Sequence, residues 1–310
     1  VLVRNPHYHG LASGNVQRVA LYGPAIMSER ELVSLYEAGG LDQLRIGGAL
    51  SDSEFIRAYE RNTADLILAL AAGVAYYGFD VTRPPFDDVR VRRAFALATD
   101  VSVHWDPTIV TSARGGFVPP GIPGHQPGIG LPYNPEGAQQ LLAEAGYPGG
   151  RGLPEILSHV GTGGVGEGYR SLQQLQWAEG LGIPMRWEAV SLSEMDVLLA
   201  HEEWPHVFLS GWSADYPDPD NFLRVAIESL RRRWDNETYS RLVDEARHTF
   251  DQDRRMKLYK QADRILIEKA VVVPVEYGSH SWLVKPWVTR FPTSPILGPQ
   301  FWKDVVLEPH

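Results

Sequence analysis

A chain of 310 residues, 44% hydrophobic and 22% charged, has ordinary globular composition and room for two compact lobes with a real core. Its net charge of −9 argues against a nucleic-acid backbone as partner, which needs a basic face to neutralise phosphates. No cysteine occurs, so disulfides, thiolate metal sites and a cysteine nucleophile are excluded, and no stretch approaches the roughly 20 apolar residues of a membrane helix.

In chain order, residues 1–6 read as an opening strand, with a second apolar run at 19–22. Helical windows occupy 28–38 and 53–59, the second with Ser51 or Asp52 as cap and Glu54 in its first turn. Residues 66–79 are apolar but interrupted by glycine, which fits a buried strand. Asp87 or Asp88 then caps a helix whose Val91, Ala94, Phe95 and Ala98 recur at helical spacing. The glycine and proline density of 111–132 predicts a long surface excursion without regular structure. Asn134 and Pro135 start a helix with Ala138, Leu141, Leu142 and Ala145 on one face, and Gly146 ends it.

A strand at 155–160, a glycine-rich turn, a helix at 168–179 and a strand at 184–190 form a βαβ unit. A helix at 193–203, with Ser193 and Asp196 in capping-box spacing, leads to a strand at 206–211. Tyr239, Leu242, Val243, Ala246 and Phe250 mark one later helix, and Tyr259, Ala262 and Leu266 another. Residues 271–277 read as a strand whose Pro274 implies an edge or bulge, and the tail from 282 is strand-like. Alternating strands and helices predict an α/β fold with parallel-containing sheets.

Residues 211–223, GWSADYPDPDNFL, compress a strand end, an acidic turn and a helix start. Pro217 and Pro219 remove two backbone donors and fix two φ angles, so the strand must end and Asp215 is presented at its carboxyl end. In open α/β sheets that edge is where ligands bind. The acidic residues do not make an EF-hand, since the sixth-position Gly and twelfth-position Glu are missing.

This stretch resembles the signature of the solute-binding proteins that serve ABC importers of oligopeptides, dipeptides and nickel complexes, family 5 of their class. PPFDDVRVRRAFALATD (84–100), YNPEGAQQLLAEAGYPGG (133–150), LYKQADRILIEKAVVVPVEYG (258–278) and LVKPWV (283–288) resemble that family in its order and spacing. The resemblance implies a two-lobe α/β fold of the periplasmic-binding-protein type II, with one lobe complete at 76–274 and with 1–75 and 275–310 as parts of the other. In that family LVRNP falls well inside the protein, so the resemblance also implies the C-terminal portion of a longer chain, whose missing part would hold any secretion signal or anchor.

By function, the resemblance implies a monomeric, extracytoplasmic binder, periplasmic or at the cell surface, that takes a peptide-like or other small solute between two lobes and delivers it to an ABC permease. It implies no catalysis, cofactor or metal. The aspartate of the motif pairs with the ligand's free α-amino group in the family, and that role passes to Asp215. Trp212, Ser213, Ala214 and Tyr216 are expected to line the ligand beside it. The strand into Trp212 carries Val207, Phe208, Leu209 and Ser210, with no cation to receive a ligand carboxylate.

Rival readings come from other motifs. Residues 161–166 fit G-x-G-x-x-G after a strand, with Glu188 on the next strand, as a nucleotide-dependent oxidoreductase would have. Glu188 is mid-strand, however, and no second mononucleotide half succeeds it, so Gly161, Thr162 and Gly163 read instead as a flexible turn whose N–H groups contact ligand backbone or carboxylate. The sensor domain of a transcriptional regulator would use the same binding fold. Gly211 to Asp215 lacks the closing Gly of a nucleophile elbow, and His201 to His206 carries Pro205 where a zincin needs His. His7 and His9 read as a surface pair, and Arg231 to Arg233 as a solvated face.

Overall fold

The computed structural model describes residues 1–22, 26–46, 58, 60–102, 111–162, 164–200, 204–291, 293–294 and 302–309. Contacts divide the chain into two units, Val1–Ala71 with Ser279–His310, and Ala72–Gly278.

In the first unit, β1 (Leu2–Val3) and β2 (Arg18–Val19) pair antiparallel, a shorter strand than the opening hexapeptide promised. Helix α1 (Glu29–Glu37) starts at a reciprocal cap, the Ser28 hydroxyl accepting from the Glu31 N–H while the Glu31 carboxylate accepts from the Ser28 N–H. Strand β3 (Gln43–Ile46) pairs antiparallel with residues 281–284. Leu32, Val33, Tyr36, Leu44 and Leu283 form the core of this unit. The Tyr36 hydroxyl donates to Asp65 at 2.6 Å, and the Lys285 ammonium lies 4.0 Å from the Tyr36 ring centroid. The helix expected at 53–59, with its Ser51 or Asp52 cap, falls almost wholly outside the described residues.

Strand β4 (Leu66–Phe79) carries the chain into the second unit. There the elements are α2 (Val89–Leu97), β5 (Thr111–Ser112), α3 (Pro135–Glu144), β6 (Ile156–Gly161), α4 (Gly164–Gln173), β7 (Met185–Val190), α5 (Leu192–Ala200), β8 (Val207–Ser213), α6 (Glu228–Arg233), α7 (Glu237–Arg247), α8 (Gln252–Glu268) and β9 (Val272–Val284), which returns the chain to the first unit. In that unit β10 (Val288–Arg290) and β11 (Val306–Leu307) pair antiparallel.

The sheet of the second unit runs β9-β4-β8-β6-β7, with β5 beside β9. Strand β8 is antiparallel to β4 and parallel to β6, which is parallel to β7. The expected βαβ unit is therefore β6-α4-β7. Its helix begins at Gly164, earlier than the predicted 168, and its last stretch, Gln174–Glu179, widens into a π turn. That turn sends Trp177 into the core, where its indole packs 5.0 Å from Phe95 and 4.8 Å from Tyr77, and its N–H donates to the Thr99 hydroxyl. Phe79 and Phe86 complete the aromatic cluster, and Val91, Ala94, Phe95 and Ala98 all face it as their spacing predicts.

Several expectations are corrected. The cap of α5 is Ser191 with Glu194, not Ser193 with Asp196, because Ser191 stands directly at the end of β7 where the helix must begin. Phe250 lies past the end of α7 and is 97% exposed. The excursion expected at 111–132 is only half right: residues 120–132 are irregular and, apart from Ile122, exposed or half-buried, but Thr111–Ser112 pairs with β9, and Ala113, Phe117 and Val118 are buried. The cause is a buried carboxylate on α8, since Asp263 accepts from the Phe117 N–H at 2.8 Å and Phe117 then packs edge-on against Tyr76 and Phe222. Gly116 is required there, because a Cβ would stand 1.9 Å from an Asp263 oxygen. Burial pushes the Asp263 carboxyl up to about 7.

Candidate functional site

Because β6, β7 and β8 are parallel, their carboxyl ends share one edge of the sheet. Strand β8 runs two residues further than predicted, to Ser213, which pairs with Gly73 of β4, and the Ala214 N–H donates to Ala72 at 2.7 Å. Asp215 is thereby held just past the strand end, with its side chain exposed.

Beyond the acidic turn the chain forms a π turn, Asn221–Ala226, in place of the plain helix start that the sequence predicts. It carries Asn221, fully buried, back beneath the strand end. The Asn221 amide oxygen accepts from the Trp212 indole N–H at 2.7 Å and from the Asp215 N–H at 3.2 Å, while its amide nitrogen donates to the Asp215 carboxylate at 3.1 Å. One buried side chain thus fixes both the indole and the carboxylate. No local signal in the sequence singles out Asn221; its place six residues after Asp215 gains meaning only from the π turn.

The acids of this turn differ in what they do. Asp218 receives both arms of Arg255 at 2.6 and 2.7 Å. Asp220, buried, takes Arg224 together with the hydroxyls of Tyr216 at 3.0 Å and Tyr259 at 3.2 Å. Burial alone would raise the Asp220 carboxyl, but Arg224 and those hydroxyls overcome it and hold the group below its usual range. Among the described residues no cation pairs with Asp215. Tyr216 has its hydroxyl committed to Asp220, although the residue is 38% exposed, and Ala214 is buried and offers only backbone. Ser213 is exposed at the same edge.

Gly161 ends β6 on the same edge, paired with Val190. The register Ser158 to Val207 sets Gly161 level with Ser210, about 10 Å short of Ser213 along the strand. Thr162 is exposed, and Gly163 lies outside the described residues. Glu188, the acid a nucleotide enzyme would need, sits mid-strand against Arg186 and 3.3 Å from His159, whose imidazole pKa is lowered by burial. Arg233 is not a solvated residue, since it donates to the buried Asp80 at 3.0 Å. Among the described residues no group of three His, Cys, Asp or Glu side chains is placed to hold a metal, and no helix is long and apolar enough to cross a membrane.

The sequence model of bacterial extracellular solute-binding proteins, family 5 Middle, matches residues 1–229. The chain belongs to this family. Family 5 relatives include the heme-binding protein A of Haemophilus influenzae, 31% identical over 72% of this chain and 42% of the relative. The periplasmic oligopeptide-binding protein OppA of Escherichia coli is 27% identical over 93% of the chain and 54% of the relative. Among solved structures, HbpA2 from Haemophilus parasuis superposes with a TM-score of 0.74 at 24% identity, over 91% of this chain and 57% of that one. DppA from Helicobacter pylori in complex with the peptide STSA gives 0.72 at 21% identity, over 92% and 56%. The fold is that of family 5, and the chain spans about half the length of these relatives.

Proposed function

We propose that the chain is the solute-recognising portion of an extracytoplasmic binding protein that takes a peptide-like ligand through its free amino group at Asp215 and serves an ABC importer. The observation that carries this reading is the division of labour in the acidic turn: Asp218 and Asp220 are each neutralised by an arginine, whereas Asp215 is held by Asn221 with an exposed carboxylate at the carboxyl edge of the sheet. An ammonium is the natural partner of such a group, and the pair strengthens when bound ligand and protein exclude water. The unit Ala72–Gly278 is the ligand-binding lobe in this reading, with Trp212 and Ser213 beside the anchored amine and the backbone at Gly161 and Thr162 facing the ligand's far end. The relatives named for oligopeptides and dipeptides support a peptide-like solute.

Calorimetric titration of short peptides tests it. Asp215→Asn retains volume and the acceptor for Asn221 but loses the charge, and it should weaken a free-amine peptide by well over tenfold, because truncating one partner of a desolvated charge pair costs about 2–5 kcal/mol. N-acetylation of the peptide should weaken wild-type binding by a similar factor, since it removes the other half of the same pair. A mutant within about threefold of wild type would return Asp215 to the solvated turn.

A further inference from the structure

Beneath the acidic turn, Asp263 of α8 is sealed from solvent at 0% exposure, and among the described residues no cation pairs with it. One of its oxygens accepts from the Phe117 N–H, while Oδ2 has no partner within hydrogen-bond distance. Its surroundings lead to the site. Phe117 stands edge-on to Phe222 at 6.3 Å, and Tyr239, whose hydroxyl lies in the field of Asp263, donates to the Leu223 carbonyl at 2.6 Å. Phe222 and Leu223 directly follow Asn221 in the π turn, and Asn221 is the side chain that holds both Trp212 and Asp215.

We propose that Asp263 is a proton-operated prop for this turn: protonated, it keeps residues 115–119 seated against Phe222, and ionised, it loosens them and with them the hold of Asn221 on Trp212 and Asp215. A buried carboxylate without a cation is a costly charge, and an interior packed to crystal density passes a displacement on to the groups it touches. Burial sets the carboxyl at about 7, so the proton leaves near neutrality. The sign follows from linkage: the seated state, in which the carboxyl is raised, is favoured at low pH, and that advantage is gone once pH has risen through about 7. The charged and titratable groups that face Asp263 are Arg264 of its own helix, Tyr239 of α7 with Arg231 and Asp220 beyond it, Tyr277 of β9, and His125, whose ring packs edge-on against Tyr277. Burial pushes both tyrosine hydroxyls further above neutrality, and Arg224 with its neighbours holds Asp220 below the usual carboxylate range. Histidine is then the one residue type among them that titrates near neutrality, and His125 is tied to the same segment through the Val118 carbonyl at 2.7 Å, so the test carries a control for it. That the turn receives an amine rests on the reading of Asp215; the link from Asp263 to the turn does not.

The test is a pH titration of the 310-residue chain without solute, from about pH 5 to 8.5, followed at the Phe117 amide and the Trp212 indole N–H resonances. Both should move with one midpoint near pH 7. Asp263→Asn, which fixes the uncharged form, should leave both still across this range, and His125→Gln should leave the midpoint in place. Phe117→Leu keeps the N–H but removes the ring, so the amide at 117 should still titrate while the Trp212 resonance no longer does; this variant decides the matter even if Asp263→Asn does not fold. A Trp212 resonance that never titrates, that titrates as before in Asp263→Asn or Phe117→Leu, or that stops titrating in His125→Gln would overturn the proposal. Failure of the Asp215 reading shows differently, as a free-amine dipeptide binding equally to wild type and Asp215→Asn, and leaves this titration standing.

Discussion

Replacing Asn221 by Asp is the sharpest single perturbation of the site, because it changes one atom's chemistry and almost nothing else. The retained oxygen still accepts from Trp212 and from the Asp215 N–H, but the donor nitrogen becomes an oxygen 3.1 Å from the Asp215 carboxylate. Two unit charges at that separation repel by about 1.3 kcal/mol in bulk water and by about 5 kcal/mol at an effective dielectric of ~20. Asp215 is exposed whereas position 221 is fully buried, which places the penalty between these limits, about 1–3 kcal/mol, or roughly one to two pKa units for the pair. The sign comes from linkage: a pair whose folded pKa is raised above the unfolded carboxylate value keeps its full stability at low pH and loses it as pH rises through the raised pKa. Urea denaturation at pH 4, 5.5, 7 and 8 should therefore show Asn221→Asp close to wild type at pH 4 and about 1–3 kcal/mol weaker at pH 8. The double mutant that adds Asp215→Asn restores a donor opposite an acceptor, and its deficit should no longer vary with pH. A deficit in the single mutant that is flat across this range would refute the hydrogen-bond assignment on which the site rests.

The packing around the site sets three further outcomes. Burial raises the Asp263 carboxyl to about 7, so this group makes the fold more stable at pH 5 than at pH 8; Asp263→Asn should flatten that slope in melting experiments, and an unchanged slope would remove Asp263 as its source. Gly116→Ala must push a Cβ into the space of that carboxylate, and chemical denaturation should register a loss of about 1–3 kcal/mol or more, with wild-type stability contradicting the buried position of residues 115–119. Arg224→Met leaves the buried Asp220 with only hydroxyl donors and should cost about 3 kcal/mol; a loss under ~0.5 kcal/mol would mean that Asp220 is wet.

What the sequence discloses and what it hides divide along one line. Signals that act within a turn or two are readable: Asp88 and Asn134 cap their helices as expected, and Tyr239, Leu242 and Val243 face inward at helical spacing. Asp215 could be placed at a strand end because Pro217 and Pro219 act on their own backbone. Long-range pairings leave no local trace. Residues 113–119 look like a surface loop until Asp263, 146 residues after Phe117, supplies the carboxylate that draws them in. The four polar residues of the turn look alike in sequence, and only the arrival of Arg255 from α8 and of Arg224 within the π turn separates the two structural acids from Asp215. Phe250 misled because its spacing from Ala246 suits a helix that has already ended.

The π turn at Asn221–Ala226 imposes a rule of counting on this part of the molecule. Each helical residue advances the chain by about 100°, so losing or gaining one residue here would swing everything beyond it through more than a quarter turn. With Asn221 anchored at one end and the Leu223 carbonyl receiving the Tyr239 hydroxyl at 2.6 Å, there is no slack to absorb such a rotation before Ile227 and Leu230 must enter the core. The interval from Asp215 to Leu230 therefore behaves as a fixed length: many of its exposed letters are free to drift, whereas an insertion or deletion within it would disconnect the carboxylate from its support even if every named side chain were retained.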